Sequence, residues 1–484
     1  MSTPPATAAP RAVVPLCVDL DGTLIRTDMV WESLVRALRR NPFYLLAILA
    51  WWCRGRAYLK QQLARRIEVP VAALPYTESF LAYLRGERAA GRALYLVTAS
   101  DLAPAQRVAD YVGLFDGVLA SDGRTNLRGD TKGRKLAERF GQGGFVYAGN
   151  SAVDLAVWPY GREAVIVNGS AALLRRAAAI TKVGPTFDCQ RAWLPALIQV
   201  LRPHQWLKSL IILVPLLTAH RLADLACLQP ALWTMAAFAL GASAVYVLND
   251  LLDLDHDRAH PSRRERPFAA GTLPLPVGLG LAPVLLALAF VLAAKASLPV
   301  VGVLAAYTGL ALVYSWRLKQ IVLLDVFVLA GFYILRLVAG HEATGIPYSA
   351  WLLVFALFIF LSLALVKRFR ELQGLRQRQQ LNAAGRGYRA DDLELVATFG
   401  IGSGWLAALV LALYVNSPDV RVLYAHPTVL LLLCPLLLFW VSRVWLIAHR
   451  GALPDDPVVF ALKDWVSFVV GALMLVVVWL ATGC

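Results

Sequence analysis

The sequence predicts a multidomain protein: an N-terminal α/β domain with a Rossmann-like parallel sheet and a helical cap, then an all-α polytopic membrane domain of about nine transmembrane helices. Three observations predict it. Of 484 residues, 58% are hydrophobic and the mean hydropathy is +0.58, far above a soluble globular chain. Up to about residue 190, short apolar runs each end at Asp, Thr or Gly. From Trp206 onward, long apolar segments follow one another with short basic loops between them.

The first half, about 1–190, reads as strand-and-helix alternation. Val13 to Val18, Ala93 to Thr98 and Phe145 to Ala148 are buried-strand candidates. Their polar ends fall at the carboxyl edge of a parallel sheet, where such folds build sites. An insertion at about 28–90, rich in Arg, Leu and aromatic residues, reads as a helical cap. Within it, Phe43 to Cys53 is apolar yet too short to span a bilayer. It reads either as a buried cap helix or as a helix resting on the membrane surface.

The second half, about 191–484, contains nine apolar segments, at about 206–222, 231–249, 277–294, 297–315, 321–340, 349–366, 394–415, 427–448 and 462–481. Several approach the roughly 20 residues that cross a hydrocarbon core. Loops after the second, fourth and sixth segments hold Arg258, Arg263, Arg264, Arg266, Arg317, Lys319 and a run from Lys367 to Arg389. The opposite loops hold little beyond Arg221, Lys295 and Arg421. The positive-inside rule therefore places the N-terminus and the basic loops in the cytoplasm, with Cys484 outside. Met1 to Pro15 lacks the apolar core of a secretory signal, which agrees. The expected location is the inner, cytoplasmic membrane, multi-pass.

The +15 net charge thus belongs to topology and anionic ligands rather than to nucleic acid, for which no basic, aromatic-interleaved soluble module exists. Cys17, Cys53, Cys189, Cys227, Cys434 and Cys484 form no CxxC pair or regular spacing. Neither a metal knuckle nor a disulfide framework is suggested.

At the end of the first strand stands Asp19-Leu20-Asp21-Gly22-Thr23. Two carboxylates at i and i+2 can serve as nucleophile and acid/base partner, and Gly22 lets the backbone turn around a phosphate. Thr98, Lys132 and the string Gly149-Asn150-Ser151-Ala152-Val153-Asp154 follow in order. A hydroxyl and an ammonium suit a transferring phosphoryl group, and oxygen ligands suit Mg²⁺. Over about 12–175 these motifs resemble the haloacid dehalogenase (HAD) phosphatase superfamily. The resemblance implies Asp19 as aspartyl-phosphate nucleophile, Asp21 as general acid/base, Thr98 and Lys132 as phosphate holders, and Asp19, Asp21, Asn150 and Asp154 around the metal. Asn150 departs from the Asp of many members, and a neutral amide binds Mg²⁺ more weakly.

The second apolar segment ends in Asn249-Asp250-Leu251-Leu252-Asp253-Leu254-Asp255-His256-Asp257-Arg258. Asn249, Asp253 and Asp257 recur every four residues, which aligns them on one helix face within reach of a shared cation. The arginines that follow suit polyphosphate oxygens. This string, with His260-Pro261 and Arg266-Pro267-Phe268-Ala269-Ala270-Gly271, resembles the UbiA superfamily of intramembrane prenyltransferases over about 200–484. Aromatic prenyltransferases of that family carry a second Asp-rich motif after the sixth segment. Here Val366-Lys367-Arg368-Phe369-Arg370-Glu371-Leu372 stands instead, basic with one acid.

A basic patch asks for more anionic groups on the substrates. The branch this sequence looks like is polyprenyl-phosphate phosphoribosyltransferase, to which 202–208 and 314–319, with Asp325, are also similar. The resemblance implies Mg²⁺ on the leaving pyrophosphate held by Asn249, Asp253 and Asp257. It implies phosphate contacts from Arg258, Arg266, Lys319, Lys367 and Arg368, aided by Lys208 and Tyr314. One Mg²⁺ site is expected in each domain, and the partners are a polyprenyl phosphate, phosphoribosyl pyrophosphate and the bilayer, with homo-oligomerisation left open.

The fused phosphatase would then remove the 5-phosphate, giving a lipid-linked ribose for arabinose donor synthesis. The alternative is aromatic prenyl transfer with the front domain a docking module. Arg336, some 15 residues into the fifth segment, either pairs internally or snorkels to the far surface.

Overall fold

A computed structural model describes residues 14–122, 126–188, 193–379, 386–417, 420, 423–454, 457–461 and 463–482. Cys189, Arg421 and Cys484 lie outside the described residues. The chain divides into two compact units, Met1–Leu201 with Val247–Leu281, and Arg202–Tyr246 with Ala282–Cys484. The Asp-rich segment, expected with the membrane domain, belongs to the first unit.

The first unit is built on a six-stranded parallel sheet. In chain order its elements are β1 (Leu16–Val18), α1 (Met29–Arg40), α2 (Tyr44–Cys53), α3 (Arg56–Arg66), α4 (Glu78–Ala89), β2 (Leu94–Asp101), α5 (Leu102–Val112), β3 (Gly117–Ser121), α6 (Asp130–Phe140), β4 (Val146–Gly149), β5 (Glu163–Val167), α7 (Ala171–Ala178), β6 (Val183–Phe187) and α8 (Trp193–Leu201). The strand order is β3-β2-β1-β4-β5-β6. Leu16 pairs with Leu94 on one side and Val146 on the other, so β1 is central and fully buried. The order reverses at β1, and the crevice between β2 and β4 opens at the carboxyl edge, where Asp19 and Asp21 emerge.

The three expected strands are all present, with β2 running three residues past Thr98. The insertion forms α1, α2 and α3, which pack through Ala37, Ile48, Leu59 and Leu63. Asp28 caps α1 by accepting the N–H groups of Val30 and Trp31.

The remaining helices continue the numbering: α9 (Val214–Thr218), α10 (Leu225–Leu252), α11 (Leu254–Ala259), α12 (Leu275–Ala296), α13 (Leu298–Trp316), α14 (Leu324–Thr344), α15 (Ala350–Gln377), α16 (Leu393–Val415), α17 (Leu433–His449), α18 (Pro457–Ala461) and α19 (Trp465–Thr482). Among the described residues eight helices are long and apolar enough to cross a membrane. The expected span at 206–222 is instead a 3-10 helix, Pro203–Leu213, followed by the five-residue α9. Pro215 lacks an N–H donor, which removes one rung of the hydrogen-bond ladder where the two pieces meet. In the second unit one apolar core joins Val326, Leu365, Val441 and Trp445, and another joins Phe238, Ala289, Leu304 and Ala339.

Candidate active sites

In the first unit the sheet edge assembles the carboxylate pair. Lys132, on α6, donates from Nζ to Asp19 Oδ1 at 2.9 Å and to the Tyr147 hydroxyl at 2.8 Å. Asp21 Oδ2 accepts from Ser100 Oγ at 2.6 Å and Thr98 Oγ1 at 3.4 Å, while Oδ1 accepts the Met29 N–H at 2.9 Å. Burial pushes the Asp19 carboxyl up to about 7, against the opposing charge of Lys132. Burial and the neighbouring Asp28 carboxylate push Asp21 up to about 6.

Gly22 takes φ +78°, and a Cβ there would meet Asn150 Nδ2 at 2.0 Å, so the Asn150 side chain lies directly over the turn. A buried carboxylate pair held above its usual range, with an amide oxygen source against it, fits a hard cation such as Mg²⁺. Among the described residues no three Asp, Glu, His or Cys side chains form a metal-sized group; here the set is two carboxylates and an amide.

Asp154, expected at the metal, has its oxygens engaged otherwise. Oδ2 accepts from Asn150 N–H, Ser151 N–H and Ser151 Oγ, and Oδ1 from the Tyr147 hydroxyl at 3.1 Å. It shapes the loop that presents Asn150 and, through Tyr147, orients Lys132. Ser100, Tyr147 and Lys60 escaped the sequence reading. Lys60 donates to the Ala99 carbonyl at 2.8 Å, and burial lowers its pKa while Asp21 and Asp28 oppose that. Ser100 could have been found from its place two residues past Thr98 on the same strand.

The Asp-rich segment is also in the first unit. α10 ends at Leu252 and α11 begins at Leu254, with Asp253 at the break. The i→i+4 ladder still passes through it: Asp253 N–H reaches the Asn249 carbonyl and Asp257 N–H the Asp253 carbonyl, both at 2.9 Å. The three residues therefore stand on successive turns, as the spacing predicts. Asp257 is buried and accepts from Arg266 Nη1 at 2.8 and 3.0 Å, and the same nitrogen reaches Asp250 Oδ1 at 3.1 Å. Burial raises the Asp257 pKa and Arg266 opposes it. Asn249 Oδ1 is buried without a hydrogen-bond partner. An orphaned amide oxygen beside acidic neighbours fits a hard cation. Asp250 is a buried member of this group that the four-residue spacing passed over.

Arg258, expected on a substrate phosphate, holds Glu32 of α1 through Nη1 and Nη2 at 3.0 and 2.7 Å, and its Nε donates to the Ala269 carbonyl at 3.1 Å. Three of its N–H donors are thereby engaged inside the unit.

In the second unit, Lys208 Nζ lies 5.9 Å from the centre of the Tyr333 ring and on the wall of an apolar cavity of about 260 Å³ with Ile211, Phe360, Leu363 and Trp440. Tyr314 meets Phe332 edge-on at 5.8 Å. Lys319, in the turn after α13, and Lys367, on α15, are half-buried. Arg368, expected on a substrate phosphate, is 1% exposed and paired with Asp325 at 2.9 Å and with Glu371. Tyr388 donates to Asp325 at 2.7 Å, and Arg386 lies 3.3 Å from Glu371. Arg368 is thus an internal cation that neutralises Asp325, a pairing no linear pattern revealed. Arg336 also pairs internally, donating to the Tyr307 hydroxyl and the Phe332 carbonyl, both at 2.9 Å.

A parallel-sheet domain with a paired-Asp phosphate site, joined to a polytopic helical domain with an Asp-rich helix end, defines a membrane enzyme carrying a hydrolase-type domain. The chain belongs to the UbiA prenyltransferase family, whose profile matches residues 210–463, and residues 16–158 match the haloacid dehalogenase-like hydrolases. It is 38% identical over 472 residues to the uncharacterized protein y4nM of Sinorhizobium fredii, covering 95% of this chain and 90% of that one. It is 38% identical to the nodulation protein NoeC of Azorhizobium caulinodans, covering 55% and 87%. It is 34% identical to the decaprenyl-phosphate phosphoribosyltransferase of Mycolicibacterium smegmatis, covering 39% and 61%. Both families are generally Mg²⁺-dependent.

Proposed function

We propose that the protein transfers 5-phosphoribosyl from phosphoribosyl pyrophosphate to a polyprenyl phosphate, releasing pyrophosphate, and that its front domain removes the 5-phosphate. The observation that carries the transfer reading is the state of the segment after α15's apolar run. Its one acid, Glu371, is paired with Arg368 and Arg386, so this segment offers no second carboxylate pair for a metal and is basic on balance. That composition favours an additional anionic group on the substrate over an isoprenyl diphosphate alone. The name of the Mycolicibacterium relative supports the same chemistry.

Mg²⁺ held by Asn249, Asp253 and Asp257 would offset charge on the leaving pyrophosphate. Arg266 binds phosphate oxygens when the ligand takes it from Asp257, and Lys208, Tyr314, Lys319 and Lys367 keep the phosphate-binding roles expected of them. Arg258 and Arg368 are omitted. The lipid phosphate oxygen attacks C1 of the ribose, the C1–O bond to pyrophosphate breaks, and that oxygen keeps the bonding pair.

In the front domain the Asp19 carboxylate attacks the phosphorus of the 5-phosphate, and Asp21, whose carboxyl burial pushes up to about 6, gives a proton in its protonated form to the departing ribose oxygen. Asp21 then takes a proton from the water that hydrolyses the aspartyl phosphate. Lys132, Thr98 and Ser100 hold phosphate oxygens and Asp21. Asp19, Asp21 and Asn150 would hold Mg²⁺, which would supply charge screening between the phosphate and the attacking carboxylate. Both reactions are assigned to the cytoplasmic face of the inner membrane.

Mass spectrometry of the product from purified protein, phosphoribosyl pyrophosphate and polyprenyl phosphate tests the reading. Wild type should yield a lipid-phospho-ribose and Asp19→Ala its 5-phosphate. A phosphate retained equally in both sinks the coupled scheme, and no ribosylated lipid in either sinks the transfer.

A further inference from the structure

The cap helix α2 leaves an apolar face uncovered. Its ten residues, Tyr-Leu-Leu-Ala-Ile-Leu-Ala-Trp-Trp-Cys, make a rod of about 15 Å, half of what crossing a hydrocarbon core requires. One side packs inward: Ile48, with Tyr44 and Trp51, lies on Leu59 and Leu63 of α3. The other side and its approach are open, with Phe43 77%, Leu46 67% and Leu49 57% exposed, and Leu45 and Trp52 about half exposed. A soluble surface seldom gathers so many large apolar side chains in one place. Arg40 and Arg54, both exposed, stand at the two ends of this face.

The same unit says what lies beside it. Glu32, Arg36 and Arg39 of α1 grip the segment just beyond α10: Arg258 holds Glu32, Arg36 Nη2 reaches Asp255 at 2.5 Å, and Arg39 stands 3.6 Å from Asp255. Asp255 comes three residues after Leu252, the last residue of a membrane-crossing helix. A second contact repeats the attachment, since Gly271, at φ +67°, brings its Cα so near the Arg26 carbonyl that a Cβ would stand 2.5 Å from it. The last turn of α1 is therefore fixed at the level where α10 leaves the membrane. Tyr44 follows Arg39 by five residues, at most about 18 Å of extended chain, so α2 stays at that level.

We propose that α2 is an interfacial helix whose Phe43, Leu46 and Leu49 face sits in the acyl boundary of the leaflet where α10 ends, with Arg40 and Arg54 on lipid phosphates. The bilayer completes the cap. Basic termini around an apolar face match anionic headgroups above hydrocarbon. Because α2 packs on α3, and Lys60 of α3 reaches the Ala99 carbonyl beside the Asp21 site, the docked helix ties the phosphatase site to the membrane surface. The docking stands apart from the reaction assigned to the transferase domain.

Nitroxide labelling of the full-length protein tests this, with accessible native cysteines replaced by alanine and with Leu46→Cys, Leu49→Cys and the exposed α6 control Glu138→Cys made singly. The chains are reconstituted in vesicles of phosphatidylcholine and phosphatidylglycerol. Insertion predicts that the ratio of oxygen to nickel-chelate collisions at positions 46 and 49 exceeds that at 138 by roughly tenfold, because oxygen partitions into the acyl region and the chelate does not. A ratio equal to the control places the helix in water and overturns the proposal. Suppression of both collision rates at 46 and 49 means a protein surface, such as a second copy, covers the face, and overturns it equally.

Discussion

Replacing Glu32 by alanine tests the largest electrostatic commitment in the first unit. The Glu32 side chain is fully buried and Arg258, 226 residues away in sequence, is 5% exposed. Oε1 accepts from Thr27 Oγ1 at 2.6 Å and Arg258 Nη2 at 2.7 Å; Oε2 accepts from Arg258 Nη1 at 3.0 Å and from Arg36. Burial pushes this carboxyl up, yet Arg258 and Arg36 more than reverse it, to about 2 from 4.5. At about 1.4 kcal/mol per pH unit that is roughly 3 kcal/mol of stabilisation.

Deleting Glu32 leaves Arg258 buried without its counter-charge, for which about 3–5 kcal/mol is the usual cost. Arg36 keeps Asp255 and loses less. The expected outcome is that amides of α1 and α11 exchange hydrogen about 100-fold faster in Glu32→Ala, the equivalent of roughly 3 kcal/mol. In Glu32→Ala/Arg258→Ala the loss should fall short of the sum of the single losses by about 2 kcal/mol. Because the folded-state pKa is depressed, the contribution is complete above pH about 4.5 and disappears only as pH falls toward about 2. Unchanged exchange in Glu32→Ala, or strict additivity in the double variant, would refute the buried-pair account.

Four further outcomes are expected. Asp19→Asn abolishes hydrolysis of p-nitrophenyl phosphate, and Lys132→Ala lowers it by about 100-fold, with the sheet intact by circular dichroism. Asn150→Asp tightens Mg²⁺ in the front domain by roughly tenfold, read from metal titration of phosphatase activity, because a charged oxygen replaces a neutral one. Asp257→Asn lowers transferase kcat/KM by about 100-fold or more and raises the Mg²⁺ requirement, while leaving p-nitrophenyl phosphate hydrolysis unchanged. Arg368→Ala destabilises the second unit by about 1–3 kcal/mol, because Asp325 loses its nearest cation but keeps the Tyr388 hydroxyl and Arg386, measured as loss of detergent-solubilised monodisperse protein; Lys367→Ala keeps the fold and raises KM for the phosphorylated donor.

Composition and periodicity determined much here. Hydropathy located eight membrane-length helices, most ends to within about four residues, since apolar length is a local property set by bilayer thickness; α15 runs eleven residues past the expected 366 and α10 begins six before 231, where polar or charged residues continue the helix or apolar ones precede it. Asp19-Leu20-Asp21 at a strand end, and Asn249, Asp253 and Asp257 at four-residue steps, were legible because both patterns follow local backbone periods. The change from 3-10 to α geometry within the expected span at 206–222 falls next to Pro215, and hydropathy does not weigh hydrogen-bond donors.

Tertiary structure alone decided which charges are used inside the protein. Arg258 and Arg368 look like substrate residues in the linear string, yet one is taken by Glu32 and the other by Asp325. The pairing of buried ions depends on distances between segments far apart in sequence, and no local period encodes them. The same holds for α2: its apolar content was plain, but whether its face lay inside the cap or outside was fixed by how α1 and α3 pack around Ile48.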